Sequence, residues 1–339
     1  MPLLAAVAAV AVSQSAAADP GIAPVEIVAA LAPEPGAGIA TAVLIGRAGQ
    51  LYHPLAPGRW QRRSAGGVAV ELRGAVRPGP RSDEVIAIGA DAPLFRFRGG
   101  AWRAEPLPNR GPAALSATGL LPVLAVGRHI YKLEGDAWRR RASASQRVSA
   151  AWAAGPTALI VATADGGLAH WNGRRFTPLR SPLPAGQSIV ALLGASPAAV
   201  FGRAEAGAWI RIDRGGAAAI APARELAGFE EHAAGLGPDG GVWLAGTLPS
   251  DGGARRPILA RADGNRLVPA GDLAPLASGD RIAVVLGHAS TGELLVATSA
   301  GAIRLRDKKG TWTDGSASST LPQQARRSGA PSGAPARTR

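Results

Sequence analysis

Residues 120–143, LLPVLAVGRHIYKLEGDAWRRRAS, carry the pattern that decides the fold. An apolar run is followed by a two-residue turn, an alternating segment at 130–134, a Gly-Asp turn and a short basic segment that opens with Trp138. A continuous apolar run is typical of a strand covered on both faces, and alternation is typical of a half-buried strand. The stretch therefore predicts consecutive antiparallel strands.

The same pattern recurs about every 40 residues, a period typical of four-stranded propeller blades. Each unit has a small-residue segment, such as 148–152 or 189–193, and then an apolar one, such as 158–162. Small side chains suit the innermost strand, where blades converge. The last strand of each unit opens with Trp60, Trp102, Trp138, Phe176, an alanine within 208–222, Leu267 or Trp312.

These units predict an all-β fold, a seven-bladed β-propeller of four-stranded antiparallel blades, with six or eight blades as alternatives. The ring could close by packing of the first blade on the last or by a swapped terminal strand. In the outer strands at 94–98 and 303–306, arginine alternates with apolar residues. We interpret these arginines as solvated positions on the outer face.

The two ends of the chain depart from the repeat. Residues 1–18, MPLLAAVAAVAVSQSAAA, are an apolar run that ends in small residues, which predicts a signal peptide even though no Lys or Arg precedes the run. Residues 19–315 are the predicted propeller. Residues 316–339 are rich in Ser, Ala, Pro, Gly and Arg, which predicts a disordered basic tail. We expect a periplasmic or secreted protein with no transmembrane segment after signal removal.

Composition excludes some functions. The chain has 339 residues and no cysteine, which rules out disulfides, thiolate metal sites and a cysteine nucleophile. The net charge of +13 comes from arginine scattered over every repeat. Because no aromatic-basic platform or basic helical stripe accompanies it, the charge does not favour nucleic-acid binding.

Three short segments resemble known propeller families. Residues 237–247, GPDGGVWLAGT, are similar to the repeat of bacterial propellers attached to two-component regulators, a WD-repeat-like superfamily, and 290–298 is a looser copy. Residues 307–312, DKKGTW, resemble a degenerate Asp-box of sialidase-type propellers, with the glycine one place late and no leading serine. Both motifs are turn and packing devices, so the resemblance implies a fold and no activity.

No catalytic constellation emerges from the residues. Tyr52 and Tyr131 occupy the same slot of their repeats, which predicts packing and argues against a sialidase nucleophile. The segment 230–232, Glu-Glu-His, is the densest polar cluster, and we interpret it as a solvated turn or sheet edge rather than a metal site, because adjacent strand residues point to opposite faces. We expect no metal and no other cofactor.

The remaining candidate is a binding surface. In a propeller the turns between the second and third strands of the blades surround one mouth of the central channel, where ligands commonly bind. The candidate residues on this predicted rim are Arg47, Asp91, Arg128, His129, Asp165, Arg203, Glu205 and Arg255.

We expect a monomeric, non-enzymatic binding scaffold whose partner is a protein or an anionic cell-surface polymer. A glycan-active hydrolase or lyase with an unrecognised site and a sensory input propeller are the alternatives.

Overall fold

The computed structural model describes residues 26–33, 37–56, 58–62, 72–78, 82, 84–89, 94–116, 122–155, 157–213, 215–250 and 254–318. The predicted signal peptide, tail residues 319–339 and the candidate Asp91 lie outside these residues. The described part is almost entirely β-structure, with two short 3-10 helices at Ile39–Thr41 and Arg224–Leu226. No helix in this part is long and apolar enough to cross a membrane.

The strands form four-stranded antiparallel meanders in which sequence order equals spatial order. Three meanders are separate sheets, and their strands are β5 (Leu72–Val76), β6 (Val85–Gly89), β7 (Leu94–Arg98), β8 (Ala101–Glu105); β9 (Ala113–Ser116), β10 (Val123–Val126), β11 (His129–Glu134), β12 (Ala137–Ser143); β13 (Val148–Gly155), β14 (Ala158–Thr163), β15 (Leu168–Trp171) and β16 (Phe176–Leu179).

Two eight-stranded sheets each contain two further meanders joined through their last strands. The first sheet consists of β1 (Ile27–Leu31), β2 (Val43–Gly46), β3 (Leu51–Ala56), β4 (Arg59–Arg62), β25 (Ile282–His288), β26 (Glu293–Thr298), β27 (Ala302–Arg306) and β28 (Trp312–Ser318). The second consists of β17 (Ile189–Ser196), β18 (Ala199–Ala204), β19 (Trp209–Asp213), β20 (Gly216–Pro222), β21 (Glu230–Leu236), β22 (Val242–Pro249), β23 (Arg255–Asp263) and β24 (Arg266–Asp272). Strand β28 thus extends beyond residue 315.

The second strand of each meander is largely buried. Strands β2, β6 and β10 are buried at every position, as the continuous apolar runs predict. Hydrophobic clusters fill the spaces between successive meanders, and one of them joins the last meander to the first through Leu44, Trp60, Val284 and Leu295. The core is therefore divided among the interfaces between meanders, which is the packing of a β-propeller.

Backbone hydrogen bonds close the ring. The Leu72 N–H, at the start of β5, donates to the Arg47 carbonyl, after β2, at 3.1 Å. The Ile27 N–H, at the start of β1, donates to the Ser299 carbonyl, after β26, at 3.0 Å. An equivalent hydrogen bond thus links the first meander to the second and the last meander to the first. Because β28 pairs with β27 in its own meander, the described part of the chain contains no swapped terminal strand, and the ring closes where the first meander lies against the last.

Two pairs of neighbouring meanders also touch at their outer strands. Strand β28 runs parallel to β4, with Ala317 opposite Trp60, and β20 runs parallel to β24, with Ala221 opposite Arg266. Small residues permit this approach: the Ser316 N–H donates to the Gly58 carbonyl at 2.9 Å. These two parallel pairs, here called the outer seams, add backbone hydrogen bonds to side-chain packing.

One expectation about the outer strands is wrong. Arg96 on β7 is only 5% exposed, although alternation predicted a solvated position. Its guanidinium contacts Glu105 at 2.6 Å, Asp136 of the next meander at 3.0 Å and Glu84 at 3.5 Å. A buried arginine requires such partners because desolvation of its charge is costly. Arg98 on the same strand is exposed, as expected.

Candidate binding surface

The turns between second and third strands lie on one face of the ring, here called the rim face. The Gly127 N–H in the β10–β11 turn donates to the Pro112 carbonyl at 2.9 Å, and the Glu205 N–H in the β18–β19 turn donates to the Ser188 carbonyl at 2.9 Å. Pro112 and Ser188 each immediately precede the first strand of their meander. These bonds hold the turns beside the inner strands that surround the central channel.

Three of the candidate arginines are ion-paired. The Arg47 side chain lies 3.1 Å from a Glu26 carboxylate oxygen. The Arg203 Nε donates to Glu231 Oε1 at 2.8 Å, and both side chains are less than one-fifth exposed. Arg255 lies 3.1 Å from Glu230. Electrostatic attraction therefore fixes these charges in place instead of leaving them to project freely.

Arg255 also anchors the longest rim hairpin. Its Nε donates to Thr247 Oγ1 at 2.9 Å, and its Nη2 donates to the Gly228 carbonyl at 3.2 Å. The first bond crosses the β22–β23 hairpin, and the second connects the hairpin to the segment before β21. The hairpin is thereby tied to the body of the propeller.

Asp165 has a local structural role in the β14–β15 turn. The Thr163 hydroxyl donates to its carboxylate at 2.5 Å, and the Gly167 N–H donates to it at 3.3 Å. These hydrogen bonds, the one from Thr163 above all, lower the pKa of Asp165. The carboxylate is thus an acceptor that shapes its own turn.

Arg128, Asp165, Glu205 and Arg255 are the exposed candidates, and the contacts described above hold Asp165 and Arg255 in place. His129, next to Arg128, is half-buried, and its Nδ1 lies 2.8 Å from the Ser143 hydroxyl. The rim therefore presents two basic and two acidic side chains to solvent on four different meanders, and Arg47, His129 and Arg203 are half-buried.

The contacts of the most connected group on this face were not predicted. Residues 230–232 begin the inner strand β21, which is the edge strand of its sheet, so the alternative of a sheet edge is confirmed and that of a turn is wrong. Glu230 is exposed, but Glu231 and His232 are half-buried. The Glu231 carboxylate accepts from Arg203 and also from the Trp209 indole N–H, at 2.8 Å each. Glu231 thus joins its meander to the preceding one. The sequence did contain a signal for this group. Three ionisable residues stand at a position of the repeat that small and apolar residues occupy at 148–152 and 189–193.

His232 follows Glu231 directly on the same strand. Burial lowers the pKa of His232. The charge of Glu230 raises this pKa, and the charges of Arg255 and Arg281 lower it further. Its Nδ1 is buried without a hydrogen-bond partner among the described residues. Within that part of the chain, no three His, Asp or Glu residues are grouped to hold a metal ion.

The two tyrosines are packing residues, as predicted. Tyr52 is 1% exposed and Tyr131 is 6% exposed, and each belongs to a hydrophobic cluster between meanders. Burial raises the pKa of Tyr52, against a smaller lowering by Arg62.

Comparison with known proteins supports the fold. No protein-family model and no curated protein sequence matches the chain. The solved structure of YCF48 from Cyanidioschyzon merolae is similar, with a TM-score of 0.57, 14% identity, and coverage of 84% of this chain and 96% of that one. The WD40 β-propeller domain of Doa1 has a TM-score of 0.56, 12% identity, and coverage of 84% and 93%. At these identities the similarity concerns the fold alone: the chain is a β-propeller.

Proposed function

We propose that the chain is a seven-bladed β-propeller that serves as a non-enzymatic interaction scaffold in the periplasm or outside the cell. Each four-stranded meander is one blade: three form separate sheets and two pairs form the eight-stranded sheets. Seven hydrophobic clusters, one for each pair of neighbouring meanders, support this count. Export rests on the apolar segment 1–18.

The pre-organised rim face carries this proposal. Glu231 bridges two blades, Arg255 ties down the longest hairpin, and Arg128 and Glu205 present opposite charges to solvent. A surface whose side chains are already fixed loses little conformational freedom on binding. Charges of both signs at defined positions provide specificity and orientation for a protein partner. An anionic cell-surface polymer is the second candidate partner, which the basic residues of the rim would contact.

Site-specific crosslinking tests the assignment of the rim. A photo-reactive amino acid replaces Arg128 or, separately, Glu205, and the full chain is expressed in the cells that naturally produce it. Lys309 is the matched control position, because it is exposed in the β27–β28 hairpin on the opposite face. We expect discrete protein adducts from the two rim positions and none from the control.

A charge-reversal arm separates protein binding from polymer binding. Arg128→Glu should abolish a specific protein adduct formed from position 205, whereas Lys309→Glu should leave it unchanged. If the rim binds polymer instead, Arg128→Glu should weaken retention on an anionic polysaccharide column more than Lys309→Glu does. Equal crosslinking from both faces, together with equal retention of both variants, would contradict the assignment.

A further inference from the structure

A cleft opens between the β9–β12 and β13–β16 meanders on the face opposite the rim. Its enclosed space is only about 30 Å³ and the rest is open to solvent, so the cleft is a shallow groove in the surface. Val123, Ile130, Leu159 and Trp171 contribute apolar surface, and Lys132 and Arg141 contribute the cationic side chains. Val123 and Leu159 lie at strand ends remote from the rim turns, so this cleft is separate from the rim face.

The outer edge beside this cleft is uncovered. In the described part of the chain, β8, β12 and β16 end their sheets without a further partner, whereas the outer seams cover β4, β20, β24 and β28. Among the uncovered strands, β12 is the longest at seven residues, β8 has five, and β16 has four with Pro178 among them. Proline removes a backbone donor from an edge, so β12 offers the most complete ladder for an added strand.

Charge also distinguishes β12. Arg139, Arg140 and Arg141 are consecutive and exposed, and Lys132 lies on the neighbouring strand. Within this hairpin, Glu134 forms ion pairs with Arg139 and Arg141. Positive charge therefore exceeds negative charge along this edge. Charged edges discourage self-association, and they also attract chains of opposite charge.

The protein itself shows that a strand can bind at this position. At both outer seams, the last strand of one meander accepts the last strand of another in parallel. Strand β12 is the last strand of its meander and lacks such a neighbour. Arg141 belongs to β12 and also lines the cleft, so the edge and the apolar pocket form one continuous surface.

We propose that β12 and the adjacent cleft bind an extended acidic peptide segment of a partner protein. The peptide backbone pairs with the edge of β12, its carboxylates contact the arginines and Lys132, and one large apolar side chain packs across the mouth of the cleft. Strand addition provides affinity through the main chain, and the pocket provides specificity. This site is independent of the rim face, so either assignment can fail without the other.

Fluorescence anisotropy with synthetic peptides tests the proposal on the full chain. The probe is a labelled peptide of Asp and Glu residues with one central tryptophan, compared with the same peptide carrying a central alanine. A third peptide keeps the tryptophan but is N-methylated at alternate residues, so that it cannot complete a ladder. We expect the tryptophan peptide to bind at least about tenfold more tightly than either of the other two.

Protein variants assign the binding to β12. Arg140→Glu and the pair Lys132→Glu and Arg141→Glu should each weaken binding about tenfold or more, while Lys309→Glu, an exposed charge reversal in the distant β27–β28 hairpin, should not. Circular dichroism checks that each variant is folded. Equal affinity for all three peptides would show non-specific charge attraction and would overturn the proposal, as would a loss of affinity that is the same in Lys309→Glu.

Discussion

The bridge from Glu231 to Arg203 and Trp209 leads to a quantitative prediction. Glu231→Gln keeps the shape of the side chain but removes its charge. The Arg203 guanidinium then remains in a poorly solvated site, since its side chain is 18% exposed and that of Glu231 is 17% exposed. The amide oxygen also cannot satisfy both Arg203 and Trp209 as well as a carboxylate does. We therefore expect a lower free energy of unfolding.

The size of the effect follows from the exposure of the pair. Removing one partner of a fully buried ion pair costs about 3–5 kcal/mol, because the remaining charge is left uncompensated. The residual exposure of Arg203 and Glu231 lets solvent screen part of this cost, which reduces the expected loss to about 2–3 kcal/mol. In a double-mutant cycle with Arg203→Met, the coupling energy should be at least about 1 kcal/mol.

Urea denaturation, followed by tryptophan fluorescence and by circular dichroism, measures these differences. Arg256 and Asp272 provide a matched control, because they also form a cross-strand ion pair but their side chains are 50% and 66% exposed. The corresponding cycle, Arg256→Met with Asp272→Asn, should give a coupling energy of no more than about 0.5–1 kcal/mol. Equal coupling energies for the two pairs would refute the argument that burial of the bridge matters.

Three further predictions concern packing, the outer seam and pH. Trp152→Phe should lower the free energy of unfolding by about 1–3 kcal/mol more than Trp138→Phe in urea denaturation, because the Trp152 indole donates to a carbonyl of the next meander and the Trp138 indole has no acceptor among the described residues. Gly315→Ala should lower the melting temperature more than Gly155→Ala, because a Cβ at Gly315 would collide with the backbone of the seam, while one at Gly155 meets open space. Equal melting temperatures would contradict this steric argument. The lowered pKa of His232 means that the unfolded chain binds the proton more readily, so stability should fall as pH drops below about 6.5 and this dependence should weaken in His232→Gln, as measured by thermal unfolding across pH.

The strand pattern was predictable because it depends on local alternation. Trp60, Trp102, Trp138 and Trp312 all lie in the last strands of their meanders, where the repeat placed them. The apolar runs likewise became the second strands, which are largely buried. These positions depend on which faces of each strand are buried. The spacing of apolar side chains along the sequence reflects that burial directly.

Interactions between meanders were not predictable in the same way. Alternation placed Arg96 on an outward face, but it could not show that Asp136 of the next meander approaches that face. Similarly, Glu231 resembled a solvated residue until Arg203 and Trp209 were brought beside it. These partners are distant in sequence, so no local pattern identifies them. The same periodicity predicted which turns carry the rim residues. It could not predict their ion pairs, because these join residues that are distant in sequence.

The distribution of outer seams explains why the cleft lies where it does. Parallel backbone pairing joins β4 to β28 and β20 to β24, whereas the meanders that end in β8, β12 and β16 have no such seam in the described structure. At the interface that contains the cleft, the meanders are joined by the hydrophobic cluster around Ile130 and Leu159 and, at the rim end, by the hydrogen bond from the Val148 N–H to the Gly127 carbonyl at 2.8 Å. The cleft at this interface interrupts no pairing between strands, and the outer seams stabilise the ring at two other interfaces. Since both existing seams are parallel, a peptide that pairs with β12 should also run parallel to it. The N-methylated peptide should bind weakly, because alternate backbone N–H groups of the peptide donate the hydrogen bonds of such a ladder.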